Sequence, residues 1–367
     1  MDLQQNFSQR ETASDVGARA VAPGSAAISD ALRALYGQRR PVHFENPHPA
    51  SLGGDDPLYG ISVFWRSEPA PHWHYVTYGF SDLLSKGTSN AAVSGFGFEL
   101  TLRVAAARSA ETPPAWPRFL LQSLARYVFK SGNGFHEGHR MSTDGPISLD
   151  SVTELGALAF AFDSELPAID TSFGRVAFLQ VVGLTLDEER AAQRWDTRKL
   201  LDALLPHVPL WITHLERQSL LGKPDVMAAV DDGVRRDGSS SVVIYTDVLD
   251  ITSQKRFLRQ STLNIALGAR QIEQLIILLP LRLPFRRPLT VAGPQWKLHF
   301  EPGRRNSSTI EDNVLHISVN EKTVQELATL LHPRQGVYKL PSFQHILWDV
   351  QQTWIRNAEG ELVAVIG

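Results

Sequence analysis

Residues 71–104 read PHWHYVTYGFSDLLSKGTSNAAVSGFGFELTLRV, and the organisation of the whole chain follows from them. Two strands are predicted, over residues 72–78 and 95–104, with a polar loop bearing Gly and Ser between them. In the second, Phe96, Phe98, Leu100, Leu102 and Val104 alternate with Gly97, Glu99, Thr101 and Arg103, the two-residue period of a half-buried strand. Gly95 and Gly97 weaken a strand, since glycine adds backbone entropy and no packing. Their presence predicts that another backbone or a bulky ring lies close by. The stretch points to a β-rich core.

The 367 residues are long for one core and suit two domains. A hydrophobic content of 43% with 20% charged residues describes an ordinary globular chain. The net charge of -3 argues against a nonspecific nucleic-acid binder, which would carry a basic stripe. Cysteine is absent, which excludes disulfide frameworks, Cys-based zinc sites and thiol catalysis. No apolar run approaches the roughly 20 residues that cross a bilayer. The start, MDLQQNFSQRETASD, lacks the positive region and apolar stretch of a secretory signal. A soluble, intracellular, cytoplasmic protein is expected, without a membrane or nucleic-acid partner.

Outward from the opening stretch, residues 1–25 are polar or small and are expected to form a flexible tail. A short helix is predicted over 28–35, with Ile28, Leu32 and Leu35 on one stripe and Ser29 or Asp30 near its start. Leu58, Ile61, Val63 and Trp65 mark the buried side of a strand. In TPPAWPRFLLQSLARYVFKSGNGF, Pro117 suits a first helical turn, and Leu120, Leu121, Leu124 and Val128 follow at helical spacing with Tyr127 beside them. GRVAFLQVVGL, residues 174–184, is apolar on both faces apart from Arg175 and Gln180, as a central strand is. Asp187 and Thr197 are candidate N-caps of two short helices, with Trp195 at the break between them. A strand is predicted over 210–215, then a turn-rich segment VDDGVRRDGSSS, then a strand over 242–248.

Charge rises and apolar periodicity lapses near 250–259, so a linker is expected at 251–259 between domains 26–250 and 260–367. The second domain opens with Leu263, Ile265 and Leu267 alternating, then a helix from residue 269 to 279. LPLRLPFRRPLT reads as a basic, solvated connector, and strands are predicted over 296–300 and 314–319 around the turn EPGRRNSS. Asn320 caps an amphipathic helix with Thr323 at its third position and Val324, Leu327 and Leu331 on its apolar stripe. Two weaker strands, over 343–348 and 361–366, follow.

Catalytic patterns are scarce. His72 and His74 share one strand face, with His43 and His48 upstream, but no patterned third ligand accompanies them, so a structural pair around Trp73 is the favoured reading. In FHEGHR, His136 and His139 stand three apart with Gly138 between them, whereas a zincin needs two histidines four apart on a helix. Glu99 and Arg103 share a face and read by default as a solvated or cross-strand pair. SGFGF and SGNGF lack the helix entry and the Lys-Ser/Thr of a phosphate loop, and no G-x-S-x-G is present. A binding protein without cofactors fits this better than an enzyme.

The motifs PHWHYVTYGFSDL and SGFGFELTLRV resemble the signature of the Suppressor of fused family. PPAWP, LARYVF, SGNGF, FGRVAFLQVVG, AQRW and DDGVRRDGSSS follow the same pattern in order, and LHISVNEKTVQELATLL does so more loosely, over roughly residues 56–350. The short linker makes the chain similar to bacterial-type members, since animal members carry a long insertion there. The resemblance implies an α+β fold of two lobes, each a mixed or antiparallel sheet with flanking helices, with an inter-lobe cleft. It also implies a non-enzymatic adaptor that captures an extended peptide of a protein partner by strand addition. In the bacterial branch that partner is a toxin, neutralised by an immunity protein.

Tyr127 in LARYVF matches a groove-lining tyrosine of the family. Residues 135–138, with Phe135 and His136, would form one flanking edge, and Val242, Val243, Ile244, Tyr245 and Thr246 the other. Animal members have an aspartate after the glycine, where it meets a histidine of the bound peptide; this chain has His139. An imidazole cannot replace that carboxylate and repels a cation when protonated, so a different partner is expected. The alternative from another class is a metal-dependent enzyme using His72, His74 and His139.

Overall fold

The computed structural model describes residues 22–46, 49, 54, 56–256, 259–356 and 362–367. The chain divides into two compact units, Met1–Glu189 with Leu201–Leu220, and Arg190–Leu200 with Leu221–Gly367. Both are α+β, as the motifs imply. No described helix is long and apolar enough to cross a membrane.

The first unit comprises α1 (Pro23–Tyr36), β1 (Val42–Glu45), β2 (Gly60–Arg66), β3 (His72–Tyr78), β4 (Val93–Ala105), α2 (Trp116–Ser131), β5 (Arg140–Ser142), β6 (Leu155–Phe162), β7 (Ile169–Thr171), β8 (Gly174–Thr185) and the start of α3 (Leu186–Arg194). One sheet runs in the order β1-β2-β3-β4-β8-β6-β5, with β7 also on β8. The two strands of the opening stretch are antiparallel neighbours, Tyr75 opposite Leu102. Gly95 has φ 57, and a Cβ there would lie 2.4 Å from the Phe80 carbonyl oxygen, so the expected close backbone is the turn after β3. β8 lies between β4 and β6, which accounts for its two apolar faces.

Both faces of this sheet are covered. Leu121, Leu124 and Val128 of α2 pack with Tyr75, Leu100 and Leu102, while Ile28, Leu32 and Tyr36 of α1 pack with Phe64, Val76 and Phe178. β4 is therefore buried on both sides, and its polar residues do not face water. α1 also begins earlier than expected: Pro23 occupies its first turn, so residues 23–25 are helical rather than tail. The rest of the expected tail, residues 1–21, and His48 lie outside the described residues.

Three local expectations give way. The strand predicted over 210–215 is a 3-10 turn, Pro209–Trp211, with Leu210 and Trp211 at φ 52 and 48 and a single bridge from Thr213 to Val104. The caps sit slightly upstream of their expected positions. Thr185 precedes α3 with its N–H on the Glu188 carboxylate (3.0 Å), and the Asp196 carboxylate accepts from the Lys199 N–H (3.1 Å).

The second unit holds the end of α3, the start of α4 (Thr197–Leu204), α5 (Pro224–Asp237), β9 (Val243–Tyr245), β10 (Leu249–Arg256), β11 (Arg259–Gly268), α6 (Ala269–Arg282), β12 (Leu289–Ala292), β13 (Lys297–Pro302), β14 (Ser307–Glu311), β15 (Val314–Val319), α7 (Glu321–Leu330), β16 (Gly336–Lys339), β17 (Ile346–Gln351), β18 (Thr353–Arg356) and β19 (Leu362–Ile366). Its sheets run β10-β11-β17-β16, β14-β15-β13-β12-β9 and β18-β19. Ile272, Leu275 and Leu279 of α6 and Val324 and Leu327 of α7 share one core with Leu267, Leu298, Phe300 and Trp348. The Asn320 cap forms as expected, its side chain accepting from the Thr323 N–H at 2.9 Å.

Of the segment expected to be a linker at 251–259, the described residues 251–256 and 259 belong instead to the strands β10 and β11, with Ile251 opposite Ile265. Exposed Asp250 stands between buried Leu249 and Ile251, and a strand of this kind is missed when charge alone is weighed. The turn-rich reading of VDDGVRRDG also fails, because residues 224–237 are helical, with Val226, Val230 and Val234 buried at four-residue spacing. EPGRRNSS contains the start of β14, which pairs with β15. The connector LPLRLPFRRPLT begins inside α6, and Arg282 is buried there.

Gly233 in α5 has a packing reason. A Cβ there would stand 2.1 Å from Cε2 of the buried Trp195 ring, whose Nε1–H donates to Asp237 at 3.1 Å. Gly233→Ala is expected to destabilise the protein by about 1–3 kcal/mol through overpacking, despite the ~1 kcal/mol that alanine gains in helix propensity. Urea titration should show the midpoint falling; a higher midpoint would mean the ring moves aside freely.

Candidate functional site: two sheet edges

β5 ends the eight-stranded sheet, and the chain enters it through HEGH. The His139 N–H donates to the His136 carbonyl at 3.1 Å, and Gly138 has φ 83, which makes residues 136–139 a type II turn with glycine where positive φ is required. The Gly138 N–H donates to the Phe160 carbonyl (2.8 Å), and the Phe160 N–H donates to the His139 carbonyl (2.9 Å). Two residues thus oppose one, a glycine bulge at the mouth of the edge strand. The flanking edge expected at 135–138 is therefore not itself the strand: residues 136–139 form the turn that launches it, and the strand is Arg140–Ser142.

The expected residues of this edge lie together. Phe135 is buried between rings, stacked on Phe160 at 4.0 Å and on Tyr127 at 5.8 Å between centroids. Tyr127 is 47% exposed, so one face of its ring is open. His136 and His139 are both exposed and meet edge to face at 5.2 Å. Partial desolvation by its neighbours, then the His136 and Arg140 charges, push the His139 imidazole below its ordinary value and favour its neutral form.

The other candidate strand, β9, ends the five-stranded sheet and pairs in parallel with β12, Ile244 opposite Val291. The Thr290 N–H donates to the Val242 carbonyl and the Thr246 N–H to the Ala292 carbonyl, both at 3.0 Å. In a parallel ladder that turns residues 242, 244 and 246 towards β12, and the backbone of Val243 and Tyr245 the other way. Ile244 and Thr246 are buried, whereas Tyr245 and Val242 are exposed.

Glu99 and Arg103 overturn the default of a solvated pair, since both are fully buried. The Glu99 carboxylate accepts from the hydroxyls of Thr77 (2.7 Å) and Ser81 (2.6 Å) and from the N–H groups of Gly79 and Ser81 (3.0 Å each), so it ties down the turn after β3. Burial pushes its pKa up, against those donors. Arg103 forks onto Asp163 at 2.6 and 3.0 Å, reaches Glu165 at 3.0 Å, and donates to Gln180.

His74 belongs to the same cluster. Its Nδ1 shares a hydrogen bond with the Tyr36 hydroxyl (2.6 Å) while Nε2 faces Asp163 (3.3 Å). Burial first and the Arg103 charge second lower its pKa to about 4. Burial alone would raise Asp163, but His74 and Arg103 hold it far below the usual carboxylate range. His72 is also sealed, against the Ala70 carbonyl at 2.6 Å. His139, by contrast, is exposed. The histidines of the metal-enzyme alternative are not brought together, and no group of three or more His, Cys, Asp or Glu among the described residues is placed to hold a metal. The burial of Glu99 and Arg103 had no sequence signal beyond the density of apolar neighbours.

Residues 54–218 match the family described as Suppressor of fused protein. The Suppressor of fused homologs of Homo sapiens and Mus musculus are each 35% identical over 235 residues, 57% of this chain and 48% of theirs. The chain thus spans about half the length of the curated relatives it matches. The crystal structure of Drosophila Suppressor of Fused aligns with a TM-score of 0.77 at 21% identity, covering 91% of this chain and 98% of that one, which shows the shared fold. A chain of the Sufu-Fu complex crystal structure is 33% identical, with a TM-score of 0.54, covering 57% of this chain and 98% of its own length. By sequence over residues 54–218 and by its likeness to a 33% identical chain that it covers to 98%, with the fold shared over most of its length, this chain belongs to the Suppressor of fused family.

Proposed function

We propose that this chain is a non-enzymatic adaptor that captures an extended segment of a protein partner by strand addition. The observation that carries this reading is that β5, which follows directly on the first candidate stretch, and β9, which lies within the second, each end their sheets, one in each unit. A sheet edge offers main-chain pairing to a guest strand, and side chains beside it supply selectivity. At β5 those side chains are the open face of Tyr127 and the imidazole of His139; at β9 they are Val242, Val243 and Tyr245. A related Sufu chain is seen in complex with Fu, which supports a protein as the partner class.

The finer reading is a bacterial-type member that neutralises a toxin. It rests on the short connection between β10, ending at Arg256, and β11, starting at Arg259. Co-expression with candidate toxins tests it, with restored growth as the supporting result.

The edge itself is tested by calorimetry once a partner has been captured. Tyr127→Ala is expected to weaken binding by about 1–3 kcal/mol. His139→Asp should move preference towards a basic residue opposite, while the native imidazole favours a neutral or acidic one. Circular dichroism checks that both variants fold. Unchanged affinity in both folded variants would overturn the β5 edge as the binding site.

A further inference from the structure

A cavity of ≈ 400 Å³ in the second unit is lined by Trp195, Arg198, Lys199, Ser240, Arg282 and Arg287, together with Asp196, Asp237, Gly238 and Val242. Arg282 is the unusual member. It closes α6, is 4% exposed, and donates Nε and Nη2 to the Pro288 carbonyl (2.9 and 2.7 Å) and Nη1 to the Ser239 carbonyl (2.8 Å). Arg287 donates to the same Ser239 carbonyl at 3.3 Å. Carbonyls supply dipoles but no countercharge, and neither guanidinium is ion-paired with a described carboxylate. Burying a cation unneutralised costs several kcal/mol, more so with a like charge beside it.

The two carboxylates of the lining are already engaged. Asp237 accepts from Trp195 Nε1, Lys199 Nζ and Arg236, and Asp196 caps α4. Arg282 spends three of its five N–H donors on carbonyls, which leaves two for another acceptor. Adjacent guanidinium forks match the oxygens of phosphate in both charge and shape. The volume falls in the range of small-ligand sites.

We infer that this cavity binds a phosphate-type oxyanion between Arg282 and Arg287, beside the Trp195 ring. The site stands independently of the strand-edge reading, and failure of one leaves the other untouched. Both free inorganic phosphate and the phosphoryl group of a phosphorylated peptide carry the required chemistry.

Equilibrium dialysis of the full chain against radiolabelled inorganic phosphate tests it, with a short phosphoserine peptide and its unphosphorylated counterpart as competitors. One saturable site is expected, weakened at least tenfold by Arg287→Gln and unchanged by Arg286→Gln, whose side chain lies outside the lining. Arg282→Lys should lose the site as well; if that variant does not fold, the exposed Arg287 still decides. Competition by phosphopeptide at lower concentration than by free phosphate would assign a peptide-borne group, and the reverse a free ion. No saturable uptake, or equal uptake by Arg287→Gln, would overturn the site and leave Arg282 as a tie between α6 and the carbonyls of Ser239 and Pro288.

Discussion

Arg103→Leu is expected to lower the folding free energy by about 3–5 kcal/mol, the largest single-residue effect in the first unit. Arg103 is fully buried on β4 and holds both oxygens of Asp163, one of Glu165 and the side chain of Gln180. Leucine fills part of the volume but leaves the Asp163 carboxylate in a sealed space, facing His74 and hydrogen-bonded only by Thr101 and the backbone N–H groups of Glu165 and Leu166. The penalty is that stranded charge rather than the lost attraction. For the same reason, Arg103→Leu combined with Asp163→Leu should recover much of the loss, and the double-mutant cycle measures the coupling. Urea unfolding gives the comparison, through the midpoint at constant slope. A single-mutant loss below about 1 kcal/mol would show that water or rearrangement reaches the carboxylate, against its sealed geometry.

Acid is expected to weaken the fold through His74. The pKa of this group falls from the ordinary 6.5 to about 4 on burial. Between those values the unfolded chain binds a proton that the folded chain refuses, so stability is intact above pH 6.5 and declines as pH drops towards 4. The full window amounts to ~3 kcal/mol. His43 and His72, both lowered by burial, act in the same direction. Glu99 acts in the opposite one, since a raised carboxylate binds its proton more readily when folded. The measurement is therefore the difference between wild type and His74→Gln, by denaturation at a series of pH values. The variant should show a shallower slope across the window, by the share that His74 contributes, while His43 and His72 keep theirs. Parallel curves would show that His74 takes up its proton without penalty.

The opening pair of strands was legible because alternation in residues 95–104 is strict and glycine at 95 demands a close neighbour. What it concealed was the second covered face. A polar residue at every other position ordinarily means water, yet Glu99, Thr101 and Arg103 meet Thr77, Asp163 and one another's neighbours under α1. Sequence periodicity reports polarity, and it cannot tell solvent from a buried partner sixty residues away in the chain.

The helix α5 was obscured by local chemistry. DDG and RRDG favour turns, but the four-residue spacing of Val226, Val230 and Val234, with Trp195 seated on Gly233, prevails through tertiary packing. The hairpin at 249–268 was hidden by charge in the same way. For the candidate site, Tyr127, Phe135 and His139 were placed near one another by resemblance alone; the strand edge they share depends on pairing with Phe160, which local sequence does not encode.

The bulge at Gly138 has an evolutionary consequence. His139 is held in place by its own carbonyl and by the glycine before it, through bonds to Phe160 that do not involve the imidazole. Its side chain is therefore a replaceable attachment on a fixed mount. A lineage can exchange the imidazole for a carboxylate, an amide or an apolar group with little strain on the backbone, while Gly138 itself is confined by its φ of 83. Change at this edge should accordingly concentrate at one exposed position, with the glycine beside it held constant.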